Sequence, residues 1–340
     1  MLVWKRDMAK RLDILEEKFL NTIKNNNLID ENEVIVVGVS GGPDSITLLE
    51  CLKKYQEKLK IKKIIVAHIN HLIRKDSTED EQYVESYCKK NNIAFYAKRI
   101  EVERIAQENK RGTEETGREI RYQFFDEIME KEQATKIAIA HNMNDNAETV
   151  LLNLIRGTGM YGLEGIQPIE YNKFIKPLIN CQRKEIEEYC KKHQLNPRID
   201  STNKENIYTR NKVRNLIIPE LEKINPNLIK TLQRTTEIIK EENSYIEKNA
   251  QQQYRKLAHI NKNYIEFDLK DIKKEDIAIQ KRLINKAVSA LSESQNNLSK
   301  VNIDDVIKMI ERNVGNKTIK INKKIEILIK NKKIFINLVH

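Results

Sequence analysis

Four stretches of the chain carry residues whose types and spacing suit chemistry. The first is Ser40-Gly41-Gly42-Pro43-Asp44-Ser45, between a β-branched run at 34–39 and a helical pattern at 45–58. Adjacent glycines let the backbone turn tightly and expose its N–H groups, and a helix start adds free amides and a positive dipole end. With the Ser40 and Ser45 hydroxyls, this reads as a phosphate cradle, without the lysine of a Gly-x4-Gly-Lys motif. Asp44 would be repelled by phosphate, so it fits as a cation holder or as a group orienting a nucleophile. The plain alternative is a βα turn capped by Ser or Asp.

The second stretch is Ala67-His68-Ile69-Asn70-His71-Leu72-Ile73-Arg74, where two histidines and an arginine can meet a nucleotide and its phosphates. A packed role for His68 is the plain reading, and a metal site would need more convergent ligands. In the third, Arg118 and Arg121 share a helix face, which suits phosphate or simply faces water. The fourth is His141 with Asp145 and Glu148, the carboxylates at i and i+3 of a helix start. Such carboxylates either stabilise the dipole or, with the histidine, hold an ammonium group. Arg210 and Arg214, four apart, suit a backbone phosphate, and Asp200 before Ser201-Thr202-Asn203 reads as a turn.

These residues need a scaffold. Strand patterns at 34–39, 63–69, 94–100 and 136–140 alternate with helical patterns at 45–58, 78–91, 114–131 and 144–156. Continuous apolar strands alternating with helices define a doubly wound, mostly parallel α/β sheet. Ligands bind beyond the carboxyl ends of such strands, which puts chemistry after Val39, Ile69 and Ala140. An amphipathic helix at 8–24 precedes the sheet. Gly157 and Gly159 end the helix at 144–156. Beyond Pro219 come polar helices at 228–257, 277–291 and 303–311, then a β-like alternation at 318–338. The expected organisation is an N-terminal helical extension (1–32), a catalytic domain (33–221), a mainly helical nucleic-acid-binding domain (222–314) and a β-like segment (315–340).

Composition narrows the class. The 340 residues hold 61 Lys+Arg and 50 Asp+Glu, a net charge of +11. From Pro219 onward there are 24 Lys+Arg against 16 Asp+Glu, so most of the surplus lies in the last third. That is either compositional bias or a nucleic-acid surface. Only 10 Gly and 6 Pro exclude collagen-like or linker designs. Apolar runs fall far short of the ~20 residues that span a bilayer. The charged N-terminus does not read as a signal peptide. The expectation is a soluble, cytoplasmic protein with no membrane partner. Cys51, Cys88, Cys181 and Cys190 form no CxxC pair and read as reduced thiols.

Ser-Gly-Gly-x-Asp-Ser resembles the signature of the N-type ATP pyrophosphatases, the PP-loop superfamily. Together with HINHLIR, GREIRY, AHNMNDNAETVLLNLIRGTG, IKPL, DSTN and RNKVRNLIIP, it follows the order and spacing of the tRNA(Ile)-lysidine synthetase family over about 34–221. Two departures stand out: Asn144 where an Asp is frequent, and Gly117 where Ala is usual. A further C-terminal domain of many relatives looks absent or truncated.

The resemblance implies a PP-loop fold and adenylation of the wobble cytidine of tRNA(Ile) with a CAU anticodon. L-lysine then displaces AMP to give lysidine. It implies ATP and Mg2+ as cofactors, with Asp44 at the metal. Ser40, Gly41, Gly42, Pro43, Asp44, Ser45, His68 and Asn70 would hold nucleotide. Asp44, Arg118, His141, Asp145 and Glu148 would be catalytic. Asp145 and Glu148 would position the lysine amine, and Arg210 and Arg214 would contact the tRNA. A homodimer is also implied. A tRNA thiolase of the same superfamily is the alternative, and the cysteine spacing argues against it.

Overall fold

The structure, a computed structural model, describes residues 12–72, 77–198, 209–292, 298–312 and 317–339. The expected Arg74 contact, the turn at Asp200–Asn203 and the start of the 8–24 helix lie outside the described residues. The chain divides into two compact units, one ending at Glu237 and one beginning at Ile238.

The first unit contains α1 (Ile14–Asn25), β1 (Val34–Gly38), α2 (Pro43–Lys54), β2 (Lys63–Asn70), α3 (Ser77–Lys90) and β3 (Ala94–Arg99). It continues through α4 (Val102–Glu108), α5 (Thr113–Glu132), β4 (Lys136–Ala138), α6 (Met143–Arg156), α7 (Met160–Leu163), β5 (Ile169–Glu170) and β6 (Phe174–Ile175). Then come α8 (Arg183–Lys192), α9 (Thr209–Lys212) and α10 (Ile218–Ile224). The sheet order is β3-β2-β1-β4-β6-β5, and every pair is parallel except β5 with β6. This is the doubly wound α/β class.

Side chains of β1 alternate between two cores, as the strand period of two requires. Ile35 and Val37 pack with Leu48 and Leu52 of α2 and Val84 of α3. Val34 and Val36 pack with Phe124, Phe125 and Ile128 of α5. Gly38 is demanded by that second layer, since a Cβ there would lie 2.6 Å from the Phe125 ring. The strand order reverses at β1, which opens a crevice between the carboxyl ends of β1 and β4.

The N-terminal helix α1 belongs to the first core through Leu15, Phe19 and Ile23. Its Glu16 is buried and accepts hydrogen bonds from Tyr55 Oη (2.6 Å), Tyr189 Oη (2.9 Å) and Lys54 Nζ. Burial alone would raise its carboxyl pKa, and these donors outweigh burial and lower it. Glu16→Gln is therefore expected to cost about 2 kcal/mol at neutral pH, read by urea unfolding. A depressed folded pKa gives stability that is present above the ordinary value of 4.5 and lost as pH falls through the folded value. The gap between variant and wild type should close below that pH; a gap constant down to acid would show that the charge contributes nothing.

Between α9 and α10, Val213–Ile217 adopt π-helical geometry, and the Ile218 N–H reaches back to Val213 O. Pro219 follows, and its ring excludes the carbonyl one turn earlier, which opens the helix at that point.

The dividing point lies in α11 (Leu228–Leu257). The second unit continues with β7 (His259–Ile260), β8 (Tyr264–Asp268), α12 (Leu269–Ile272), α13 (Ile277–Ser292) and α14 (Lys300–Arg312). It ends with β9 (Lys317–Lys320), β10 (Ile325–Lys330) and β11 (Lys333–Leu338). Its strands form an antiparallel sheet, β7-β8-β11-β10-β9. The terminal β pattern is thus a meander that pairs with β8. Ile327, Ile334 and Ile336 from it pack with Phe267, Leu283 and Ile310. Among the described residues, no helix is long and apolar enough to cross a membrane.

Candidate active site

A cavity of about 1190 Å³ opens at the carboxyl ends of β1, β2 and β4. Ser40, Gly42, Pro43, Asp44, Ser45, His68, Asn70, His141 and Asp145 all line it, so the strand ends expected to carry chemistry do converge.

The loop after β1 is ordered by its own serines. Ser45 Oγ receives the Ser40 N–H at 3.2 Å and donates to Gly42 O at 3.0 Å. Gly41 has φ +93°, which a side chain rarely adopts, so the loop needs glycine there. No side chain caps α2, and Pro43 occupies its first turn. The N-terminal amides of α2 are thereby left for a ligand.

Asn142 links this loop to the turn after β4. Its amide donates to Asp44 Oδ1 at 2.9 Å. Its own N–H donates to Asp145 Oδ2 at 3.0 Å, closing a capping box on α6. Burial pushes the Asp44 carboxyl up to about 6; the neighbouring Asp145 adds to this, and Arg183 opposes it. Among the described residues, no group of three or more His, Cys, Asp or Glu side chains converges on a metal position. A phosphate-bound Mg2+ needs only one or two carboxylates, and the mutual repulsion of Asp44 and Asp145 is what such a cation relieves. The site therefore fits that metal.

The raised carboxyl has a stability consequence. An acid whose folded pKa is raised from 3.8 to about 6 costs stability progressively as pH rises through that window, because the unfolded chain ionises first, and the full cost applies above about pH 6. The Asp44 side chain is a quarter exposed, so solvent screens part of this. Asp44→Asn is expected to raise unfolding stability at pH 8 by roughly 1 kcal/mol, with no gain at pH 4, while losing activity. An unchanged or lower melting temperature at pH 8 would contradict it.

Glu148 does not line the cavity. It is 1 % exposed and is clasped by Arg210 Nε (2.8 Å) and by Arg214 Nε and Nη2 (2.6 and 2.8 Å). The same arginines approach Asp145 Oδ1 at 3.6 and 3.3 Å. The two residues expected on a nucleic-acid backbone are thus turned inward onto the α6 carboxylates. Arg214 lines the cavity and Arg210 does not.

His141 is pushed down to about 3 by burial and by the nearby cations Arg210, Lys176, Arg118 and Arg121, so it is neutral at pH 7. Its Nδ1 is buried without a hydrogen-bond partner among the described residues. His68 Nδ1 lies 2.8 Å from Val39 O, and its Nε2 is likewise unpartnered. Asn70 is committed internally: its amide donates to Ser77 O and Glu81, and its oxygen accepts the Leu72 N–H. Arg118 is exposed, stacks 4.9 Å from the Tyr122 ring centroid and donates to the Tyr122 hydroxyl. Arg121, rather than Arg118, lines the cavity.

Sequence reasoning assigned no role to Lys176 or Arg183. Lys176 is buried just past β6, with Glu170 Oε1 at 3.0 Å. Arg183 begins α8, and its Nη2 lies 3.7 Å from Asp44 and 3.9 Å from Asp145. The signals were the IKPL motif and an arginine seven residues beyond its lysine. Of the two departures, Asn144 accepts the Arg183 N–H at 2.9 Å, and a methyl at Gly117 would make only ordinary contacts of 3.5 Å or more.

The fold and the site define a nucleotide-type α/β protein, and residues 12–221 match the PP-loop domain family. The chain belongs to that family. It is similar to the tRNA(Ile)-lysidine synthase of Clostridium acetobutylicum, 44 % identical over 290 residues, covering 85 % of this chain and 62 % of the relative. It is also similar to that of Clostridioides difficile, 40 % identical over 304 residues, covering 88 % and 66 %. The chain thus spans just under two thirds of these relatives. A U34-tRNA thiolase, NcsA from Methanococcus maripaludis, shares the fold with a TM-score of 0.56 at 21 % identity, covering 66 % of this chain and 78 % of that one.

Proposed function

We propose that the chain ligates L-lysine to C2 of the wobble cytidine of tRNA(Ile) with a CAU anticodon, using ATP and releasing AMP and pyrophosphate. The carrying observation is one cavity that joins the Ser40–Ser45 loop to Asp145 and a neutral His141. The similarity to lysidine synthases supports the reading.

In the first step the cytidine C2 oxygen attacks the α-phosphorus, the bond to pyrophosphate breaks, and C2 acquires AMP as a leaving group. In the second, the lysine ε-amine attacks C2, the C2–O bond breaks with AMP, and the amine sheds its proton. The free amine is the nucleophile, so an ammonium must not be over-stabilised. Asp44, Asp145 and Glu148 face Arg183, Arg210 and Arg214, a cluster without surplus negative charge. Such a cluster orients the amine through Asp145 without holding its proton. Neutral His141 is a hydrogen-bond partner for the base or nucleotide. Mg2+, held by Asp44, would offset phosphate charge. The basic residues beyond Pro219 would grip the tRNA backbone in the cytoplasm.

The thiolase alternative needs a reactive thiol. All four cysteines are buried, and burial pushes their thiols up, away from thiolate. The deciding assay supplies ATP, lysine and the tRNA transcript. Pyrophosphate, AMP and lysine-labelled tRNA are expected together, and omitting lysine should stop AMP release. Sulfur incorporation, or no labelled tRNA, rejects the proposal.

A further inference from the structure

We propose that Arg183 is the side chain that receives the pyrophosphate half of the nucleotide. This rests on the ATP reading above and gives a role to a residue outside the loop that defines it.

Among the cations lining the cavity, Arg214 is held by Glu148, and Arg198 by Asp80 (3.1 Å) and Glu79 (2.6 Å). Arg183 is held differently. Its two ion contacts, 3.7 and 3.9 Å, are both made by Nη2 and both exceed hydrogen-bond length. Its Nε is buried with no partner among the described residues. A guanidinium carries five donors, and a buried orphan donor is a standing cost until an acceptor arrives.

Its position is fixed by the backbone. The Arg183 N–H is tied to Asn144 in the first turn of α6, while Asp44, which its side chain faces, stands in the first turn of α2. The guanidinium therefore bridges the ends of β1 and β4, beside the uncapped amides of α2. Glu187 and Lys191 follow at one-turn intervals on the same face of α8 and also line the cavity. The planar fork of Arg suits two phosphate oxygens at once, and charge grows on pyrophosphate as it departs.

The test is equilibrium dialysis of the full chain with ATP and with AMP, each with Mg2+. Arg183→Met is expected to weaken ATP at least tenfold and AMP less than twofold, with Arg183→Lys recovering part of the loss. Equal weakening of both nucleotides, or no change, overturns the proposal. Should the Met variant not fold, phenylglyoxal labelling of wild type read by mass spectrometry gives the answer. Pyrophosphate and ATP should protect Arg183 and AMP should not; equal labelling in all three overturns it. Neither readout needs tRNA or lysine. A chain that forms no lysidine yet separates ATP from AMP through Arg183 keeps this proposal, and a chain that makes lysidine without that separation loses only this one.

Discussion

Asp145→Asn is expected to cut lysine-dependent tRNA labelling by roughly 1000-fold while leaving ATP binding within a few-fold of wild type. The magnitude follows from position. Asp145 Oδ2 is fixed by the Asn142 N–H, and Oδ1 faces the cavity amid three guanidinium groups. Asparagine can keep the cap, because its oxygen still accepts from Asn142. It cannot keep the charge that balances Arg183, Arg210 and Arg214. The pocket then becomes cationic, and an incoming amine is repelled as well as unaimed. Single-turnover labelling and a melting curve check both halves. Wild-type turnover removes Asp145 from the chemistry, and a collapsed melting curve shows that its charge serves the fold among the three guanidinium groups.

Glu148→Ala is expected to have the largest effect on stability. Removing one partner of a buried ion pair costs about 3–5 kcal/mol, because the remaining charge loses its compensation. Here two arginines, 26 % and 20 % exposed at the side chain, lose the same carboxylate. The melting temperature should fall on the order of 10 °C. Replacing Glu148, Arg210 and Arg214 together should cost less than the single change, because no guanidinium is left without Glu148, and Asp145 keeps Arg183. A loss below about 1 kcal/mol would mean that the arginines find other acceptors, Asp145 first. Activity should fall as well, since Arg214 lines the cavity and Glu148 holds it there.

The sheet was largely legible because its strands are short apolar runs bounded by polar or glycine residues. The 228–257 helix, the strands from Val34, Lys63, Ala94 and Lys136, and the terminal meander match to within a few residues. The sequence reading missed α8, because seven of its ten residues are charged and its apolar stripe is only Ile186, Tyr189 and Cys190, at i, i+3 and i+4. Nor did it give the two-residue strands β5 and β6, too short to show alternation. Both gaps fall beside Lys176 and Arg183, of which Arg183 lines the cavity. The i, i+4 spacing of Arg210 and Arg214 was legible, but not their direction. The π turn before Pro219 and the buried Glu148 set that, and neither leaves a local pattern. The motif residues after β1 and β4 were legible because glycines and a cap-forming asparagine mark strand-to-helix turns directly.

The central place of β1 has a kinetic cost during synthesis. Val36 pairs with Ile65 on one side and with Ile137, about 100 residues later, on the other. At roughly 5–20 residues per second, an emerging chain waits on the order of 5–20 s between β1 leaving the ribosome and β4 following it. Throughout that interval one edge of a strand apolar on both faces stays unpaired. Non-local parallel pairing of this kind is slow and prone to aggregation. Translation speed across 39–136 and chaperone supply should therefore govern the yield of folded protein more than the stability of the finished sheet.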